Sequence, residues 1–277
     1  MDKLDIISCK EYVRIKKEKL KKRISLLHKK PCLCVIQIGN DAASNSYIKG
    51  KKSDCEEVGI EFKHHHIEDY ENVSEYMLMD IIKNLNQDNT ISGIIVQLPI
   101  PDKYNIERLQ TCISPEKDVD GFRKDSLFDP CTPKGIIDWL DYNKYDVAGR
   151  DVVVIGRSKI VGKPLVNMLI DKGATVTCCN SKTLCLGHFT GYADLIISAV
   201  GKPKCFDESI FDYPDIVVDV GINRTEDGKL CGDIDRERVE NAFENAYVTP
   251  VPGGVGLLTR VALLENTVDA TIFTLEI

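Results

Sequence analysis

The chain has 277 residues, 43% hydrophobic and 29% charged, which is the balance of a soluble globular protein with one large domain or two of ordinary size. Its net charge of −7 argues against general affinity for nucleic acid, because phosphates need a basic surface. No apolar run reaches membrane-spanning length, and the first residues lack the layout of a signal peptide. We therefore expect a cytoplasmic protein with no membrane or nucleic-acid partner.

The first half of the sequence alternates helical and strand patterns. This order predicts an open, mostly parallel α/β sheet with helices on both faces, and ligands of such sheets collect beyond the carboxyl ends of the strands. The predicted elements are a helix over residues 11–27, a strand over 32–38, a helix over 44–58, a strand over 61–67, a helix over 73–86 and a strand over 93–98.

Polar residues follow two of these strands. After the first strand, Ser44 is the predicted helix cap, and Tyr47 and Lys51 lie four residues apart on one helical face. After the third strand, Gln97 precedes the rigid segment Leu98-Pro99-Ile100-Pro101. Taken singly, Lys51 can instead be an ordinary solvated lysine, and Gln97 can be a residue that only caps a loop.

The segment PEKDVDGF places Asp118 and Asp120 in a turn that ends at Gly121. An ordinary turn is the alternative here. In the next segment, PCTPKG, Thr132 is the predicted cap of a helix with Pro133 in its first turn, and we place the domain junction there.

The second half predicts a Rossmann-like domain of five strands with intervening helices. Its strands are predicted over residues 151–155, 174–178, 195–200 and 216–220 and near residue 248. The predicted domains are residues 1–135 together with a C-terminal helix over 258–277, and residues 136–257. Because the chain crosses between them twice, we expect a cleft.

The stretch DVVVIGRSKIVGKP reads as a strand, a tight turn at Gly156 and a helix that begins near Gly162. Free N–H groups at a helix start attract phosphate, but the Gly-x5-Gly spacing is a variant of the dinucleotide fingerprint, and an ordinary turn is the alternative. The next strand ends in Asn180-Ser181-Lys182 without an acid, and Arg157 follows Gly156. This pattern favours NADP over NAD.

Eleven cysteines without repeated C-x-x-C spacing favour reduced thiols. Cys178, Cys179 and Cys185, and the run of His64, His65 and His66, are weak metal candidates, because neighbouring residues of a strand point to opposite faces. We predict no metal.

Eight stretches occur in the order and spacing of one family: SNSYIKGK, VQLPIP, PEKDVDGF, PCTPKG, GRSKIVGKP, NSKT, DVGIN and TPVPGGVG. Over residues 39–269 the chain resembles the bifunctional methylenetetrahydrofolate dehydrogenase/cyclohydrolases. The resemblance implies two α/β domains with a cleft between them, the second a Rossmann-like NAD(P)-binding domain. It also implies a homodimer that oxidises 5,10-methylenetetrahydrofolate with NADP and hydrolyses the product to 10-formyltetrahydrofolate.

The resemblance also implies roles for individual residues. Lys51 would be the catalytic lysine, Gln97 would hydrogen-bond it, Asp120 would hold the pterin and Tyr47 would stack on or near the folate. The implied tetrahydrofolate site comprises Tyr47, Lys51, Val96, Gln97, Leu98, Asp120, Pro252, Gly253, Gly254, Val255 and Gly256. The implied cofactor contacts are Gly156, Arg157, Ser158, Ser181 and Ile222.

Four positions depart from the family pattern: Asn180 stands where His is usual, Leu257 and Leu258 replace a Pro-Met pair, and Arg260 replaces an apolar residue. The alternatives are a dehydrogenase without useful cyclohydrolase activity, possibly NAD-linked, and an amino-acid or shikimate-type dehydrogenase. A nucleotide-binding regulatory protein is a third, but it would not need Tyr47, Lys51, Gln97 and Asp120 together.

Overall fold

A computed structural model describes residues 6–276, which form two compact units. The first, here called the five-stranded unit, comprises the described residues up to Arg14 together with Thr132–Thr259. The second, the three-stranded unit, comprises Ile15–Cys131 and the described residues from Arg260 onward. Residue 277 of the predicted C-terminal helix lies outside the described residues.

The three-stranded unit is built on a parallel sheet with the strand order β2-β1-β3. Every residue of its central strand is buried, because the strand lies between two neighbours and carries apolar side chains on both faces. The elements of this part of the chain are α1 (Cys9–Ser25), β1 (Cys32–Ile38), α2 (Ala42–Val58), β2 (Glu61–Ile67), α3 (Glu75–Gln87), β3 (Gly93–Val96) and α4 (Ile106–Thr111). The predicted parallel sheet is confirmed, and α4 was not predicted.

The start of α2 differs from the prediction. The helix begins at Ala42, and its N-cap is Asp41, whose side chain accepts a 2.8 Å hydrogen bond from the backbone N–H of Ser44. The prediction that Ser44 caps this helix is therefore wrong. Its hydroxyl instead donates to the carbonyl of Leu98 at 3.2 Å, which ties the first turn of α2 to the segment after β3.

The five-stranded unit has a wholly parallel sheet in the order β10-β7-β6-β4-β5, beside a small antiparallel pair, β8 and β9. Its core fills with residues of the central strands, among them Val153, Ile155 and Ile196. The elements are α5 (Cys131–Tyr142), β4 (Asp151–Ile155), α6 (Gly162–Asp171), β5 (Thr175–Cys179), α7 (Gly187–Thr190), β6 (Leu195–Ser198), β7 (Ile216–Asp219), β8 (Asn223–Arg224), β9 (Leu230–Cys231), α8 (Arg236–Ala242) and β10 (Tyr247–Val248). The predicted Rossmann-like five-stranded domain is confirmed.

Two helix starts in this region also differ from prediction. Because α5 begins at Cys131, Thr132 lies within the helix rather than at its cap, and its hydroxyl lies 2.9 Å from that of Thr259. The last helix, α9 (Val255–Glu276), begins three residues before the predicted helix over residues 258–277. Val255 and Gly256 therefore lie in the first turn of this helix. Within residues 6–276, no helix is both long enough and apolar enough to cross a lipid bilayer.

Candidate active site

Lys51 and Gln97 meet at the carboxyl end of the three-stranded sheet. Lys51 lies on α2, and its Nζ donates a 2.9 Å hydrogen bond to Oε1 of Gln97, the residue directly after β3. The amide nitrogen of Gln97 donates to the carbonyl of Leu98 at 2.7 Å, and its backbone N–H donates to Ile36 at 2.8 Å. Since Gln97 is buried and held at both ends, its oxygen is presented to the lysine.

Asp120 belongs to the same group. It is partly buried in the turn after a short 3-10 helix, Pro115–Lys117. Burial raises the pKa of the Asp120 carboxyl, while the charge of Lys51 and a hydrogen bond with Cys131 act in the opposite direction. Lys51 therefore hydrogen-bonds Gln97, and its charge also acts on the Asp120 carboxyl. Tyr47, one helical turn before Lys51, is also partly buried.

The two acids of PEKDVDGF have different environments. Asp118 is 1% exposed, and its carboxylate accepts the backbone N–H of Arg123 at 2.8 Å, so it stabilises the turn. Gly121 has a φ of +71°, and a Cβ there would lie 2.6 Å from the backbone of Asp129 and Pro130. Of the two carboxylates, Asp120 is the one left to bind a ligand.

Lys117, which the sequence did not single out, anchors this turn. Its buried Nζ donates to the carbonyls of Asn86 at 2.7 Å and Asp88 at 2.9 Å. Those carbonyls lie at the end of α3, where a cation is favoured by the helix dipole. Burial lowers the pKa of Lys117. The lysine therefore fixes the segment before Asp120 to α3.

Val96 and Leu98 flank Gln97 but differ in exposure. Val96 is 3% exposed and belongs to the hydrophobic core, so only its backbone can reach a ligand. Leu98 lines a cavity of about 540 Å³ together with Pro99, Ile100 and Tyr104. The segment that follows Gln97 therefore presents a mainly apolar surface.

The predicted folate segment of the five-stranded unit is a compact turn that leads into α9. Gly253 has a φ of +104°, and a Cβ on Gly254 would lie 2.3 Å from the carbonyl of Pro250. Pro252 is exposed and Val255 is buried. A Cβ on Gly256 would lie 3.5 Å from the side chain of Ile222, so a predicted folate residue and a predicted cofactor residue are neighbours.

The spacing of Gly156 and Gly162 follows from close backbone packing. Gly156 has a φ of +123°, and a Cβ there would lie 2.4 Å from the carbonyl of Ala199, at the end of β6. A Cβ on Gly162 would lie 2.2 Å from the carbonyl of Gly156. Both positions therefore require glycine, which allows the turn to fold over the end of the sheet.

The start of α6 does not offer free N–H groups. The hydroxyl oxygen of Ser158 accepts from Val161 at 3.1 Å and Gly162 at 3.3 Å, and its carbonyl accepts from Lys163 at 3.0 Å. Pro164 has no N–H. The expectation that this helix start attracts phosphate through free N–H groups is therefore wrong, because Ser158 already satisfies them.

Arg157 and Ser181 follow the ends of two neighbouring strands at matching places. β4 pairs with β5 so that Ile155 is opposite Cys179, and each predicted cofactor residue comes two positions later. Both residues are exposed. Asn180, which replaces the usual His, shapes the second turn by accepting the N–H of Lys182 at 3.0 Å. A cation and a hydroxyl without a carboxylate fit a ribose 2′-phosphate.

Two buried acids that sequence reasoning missed organise the loops next to Ile222. Asp219 ends β7 and accepts the N–H groups of Gly221 at 3.0 Å, Asp233 at 2.9 Å and Ile234 at 2.9 Å. Asp233 in turn accepts the Ser198 hydroxyl at 3.0 Å and backbone N–H groups after β6. Burial raises the pKa of Asp219 to about 6. Asp219 begins the DVGIN stretch near the end of a predicted strand, whereas Asp233 has no comparable sequence signal.

Arg260, which departs from the family pattern, packs against α2 and forms an ion pair with Asp54. Its Nε lies 2.8 Å from Oδ2 of Asp54, and Lys17 binds the other oxygen of that carboxylate at 2.6 Å. A Cβ on Gly50 would lie 2.3 Å from the guanidinium. The glycine directly before Lys51 therefore makes room for the arginine.

Two parallel sheets, a glycine turn over the end of the five-stranded sheet and the Lys51–Gln97 pair are features of an α/β enzyme with an NAD(P)-binding domain. Family models described as "Tetrahydrofolate dehydrogenase/cyclohydrolase, catalytic domain" and "Tetrahydrofolate dehydrogenase/cyclohydrolase, NAD(P)-binding domain" match residues 7–120 and 130–274. The chain belongs to the tetrahydrofolate dehydrogenase/cyclohydrolase family, which confirms the resemblance read from the sequence.

Individual relatives agree. The "Bifunctional protein FolD" of Bacillus anthracis is 43% identical over 96% of both chains. The bifunctional FolD enzyme of Campylobacter jejuni is 40% identical, with a TM-score of 0.91 over 96% of this chain and 98% of that one. The Trypanosoma brucei enzyme, solved with NADP and an inhibitor, is 25% identical, with a TM-score of 0.90 over the full length of both. Among the described residues, no group of three or more His, Cys, Asp or Glu side chains is arranged to hold a metal ion.

Proposed function

We propose that this enzyme oxidises 5,10-methylenetetrahydrofolate to the 5,10-methenyl form with NADP and hydrolyses that product to 10-formyltetrahydrofolate. The observation that carries the proposal is the 2.9 Å hydrogen bond from Lys51 to Gln97, with Asp120 close enough for its pKa to respond to the lysine. A chain of this family that only oxidised its substrate would have less need of a buried amide held ready for a lysine.

Asp120 is proposed to bind the pterin. The amino-pyrimidinone edge of that ring presents two parallel N–H donors, and a carboxylate can accept both as a fork. Tyr47, one turn from Lys51, would stack on or near the folate, and Leu98 would contribute apolar contact. By the same resemblance, the proposed folate contacts include Pro252, Gly253, Gly254, Val255 and Gly256.

In the oxidation, the protein mainly has to align the reactants. The hydride leaves a carbon between two nitrogens, so the resulting cation is delocalised, and correct placement supplies much of the rate. NADP, when bound, supplies the hydride acceptor. Arg157 and Ser181 would hold its 2′-phosphate, and Gly156, Ser158 and Ile222 would contact the rest. The bare, exposed backbone of Gly201 (φ +68°), after β6, fits close approach of a flat ligand.

Hydrolysis places a greater demand on proton transfer. Water must add to the methenyl carbon, and the five-membered ring must open. A group in the site therefore has to transfer a proton to or from the oxygen and nitrogen atoms bonded to that carbon. The Lys51 amine would do this, and Gln97 would fix the direction of the amine without adding a charge.

An absorbance assay with 5,10-methylenetetrahydrofolate, run separately with NADP and NAD, tests the proposal. Reduced cofactor and the methenyl product are followed together. Reduction of the cofactor with little accumulation of the methenyl product supports both activities. The cofactor that is reduced faster, NADP or NAD, is identified as the one that the enzyme uses. Reduction with persistent methenyl would leave a dehydrogenase only, which is the alternative. No reduction with either cofactor would contradict the proposed function.

A homodimer and a cytoplasmic location complete the proposal. Both rest on the resemblance to the family, together with the sequence composition and charge. Gel filtration with light scattering tests the first, since a mass near 31 kDa would contradict a dimer.

A further inference from the structure

Two backbone segments meet beside Asp120. Gly121 allows the turn that follows Asp120 to touch the backbone of Asp129 and Pro130, where any side chain at position 121 would collide. The N–H of Cys131 donates to the carbonyl of Asp120 at 3.3 Å. The direction of the Asp120 carboxylate therefore depends on how these two segments are held together.

Asn266, on α9, joins the same two segments. It is 1% exposed, and its Nδ2 donates to the carbonyl of Val119 at 2.9 Å and to that of Asp129 at 3.0 Å. An amide nitrogen carries two hydrogens, so these two bonds use both. The thiol of Cys131 lies 3.7 Å from the same nitrogen and donates to Val119 at 3.1 Å. One side chain thus holds the residue before Asp120 against the segment after its turn.

We propose that Asn266 is a positioning residue for Asp120, which it holds in the orientation that accepts the two N–H groups of the pterin. The inference rests on the proposed function of Asp120. A fork of two parallel hydrogen bonds tolerates little rotation of the carboxylate. Loss of the Asn266 amide would free the two carbonyls from one another, and the carboxylate would lose its fixed direction.

A purely structural role would have a different signature, and α9 offers the comparison. Thr271 is also buried, and its hydroxyl donates to Ser92 at 2.8 Å and lies 2.9 Å from the carbonyl of Thr267. Thr271 has no hydrogen bond with the Asp120 turn among those that the described residues show. Thr271→Val is therefore the matched control, because it removes a buried polar group from the same helix.

The first measurement compares Asn266→Leu with Thr271→Val in initial rates and thermal unfolding. Asn266→Leu is expected to raise the KM for 5,10-methylenetetrahydrofolate by roughly tenfold or more while the KM for NADP changes less than about twofold. Thr271→Val is expected to lower the unfolding temperature without that change in KM. If Asn266→Leu does not fold, Asn266→Ser, which keeps one donor, takes its place. Equal folate KM values in the Asn266 variant and the wild type would overturn the inference.

A double-mutant cycle decides whether Asn266 acts through Asp120. Tetrahydrofolate binding is titrated by calorimetry in the wild type, the Asn266 variant, Asp120→Asn and the double variant, so the cycle does not depend on turnover. The weakening caused by the Asn266 change is expected to shrink to less than about twofold in the Asp120→Asn background. The same weakening in both backgrounds would overturn the inference. A wild type that binds tetrahydrofolate but does not oxidise the methylene form would count against the proposed function alone. An Asp120→Asn variant that binds normally would refute both the role of Asp120 and this inference.

Discussion

The Lys51 amine and the Gln97 amide form a pair in which only one partner can change protonation. Because the Gln97 nitrogen already donates to Leu98, its oxygen is the atom that faces the lysine. Lys51→Met should therefore lower methenyl hydrolysis by roughly 10²-fold or more, the contribution typical of a positioned proton-transfer group, and leave the fold intact.

Lys52→Met, which alters the neighbouring exposed lysine of α2, is the control for charge loss on that helix. Hydrolysis is followed by the decay of methenyltetrahydrofolate absorbance, and the circular dichroism spectrum checks the fold. Hydrolysis by Lys51→Met at the wild-type rate, above the spontaneous reaction, would remove Lys51 from the mechanism.

Arg157→Ala should weaken NADP far more than NAD. Arg157 and Ser181 are both exposed and each follows the end of one of two paired strands by two positions. We propose that they bind the ribose 2′-phosphate of NADP, a group that NAD lacks. A charged hydrogen bond of this kind contributes about 1.5 kcal/mol or more, so NADP affinity should fall roughly tenfold. The KM values for both cofactors measure this. Lys229→Ala, at an exposed cation of the β9 hairpin, is the control, and equal losses for NADP and NAD would contradict the phosphate assignment.

The sequence predicted the strands of this protein better than its caps. The strands β1, β2 and β4 have the predicted bounds. Each is a short run of strand-forming residues, so a few neighbouring residues are enough to predict it. At the start of α2, Asp41 and Ser44 can both cap a helix, and nothing local favours one. Backbone geometry selects Asp41 and leaves Ser44 to bind Leu98.

The residues that position the candidate site were harder to find. Lys117 binds carbonyls about 30 residues away, and Asn266 binds Val119 across 147 residues, so neither has a sequence pattern that reveals its partner. The eight motifs indicated Lys51, Gln97 and Asp120 through resemblance. Their supports become visible only when the sheets are formed.

Asp219→Asn should show that this carboxyl makes stability depend on pH. The native pKa of about 6 lies above the ordinary value of 3.8, so between those values the native state binds more protons than the unfolded chain. The contribution of Asp219 to the free energy of unfolding therefore falls as pH rises from about 4 to about 6, by about 3 kcal/mol, and is constant above that.

Urea unfolding of both proteins at several pH values measures this contribution as a difference. The stability of the wild type relative to Asp219→Asn should decline across that window and level off near pH 7. Asp171→Asn, an exposed acid at the end of α6, is the control. A difference between wild type and Asp219→Asn that stays flat from pH 4 to pH 7 would show that Asp219 titrates normally.

Gly50 and Arg260 should be coupled. In the wild type, the new Cβ of Gly50→Ala would lie 2.3 Å from the guanidinium of Arg260. The guanidinium would have to move, which would disturb its ion pair with Asp54. In an Arg260→Leu background the clash is gone, and Asp54 still has Lys17 at 2.6 Å. Alanine is favoured over glycine within a helix by about 1 kcal/mol, so Gly50→Ala should stabilise the Arg260→Leu protein and destabilise or fail to stabilise the wild type.

Urea unfolding of the four proteins gives the coupling free energy, which we expect to be about 1 kcal/mol or more. A substitution that stabilised both backgrounds equally would show that the arginine moves aside freely. The cyclohydrolase rate of Gly50→Ala adds a functional measure, because the changed residue directly precedes Lys51. A lower rate in the wild-type background that recovers in the Arg260→Leu background would mean that the packing of Arg260 against α2 also determines the position of Lys51.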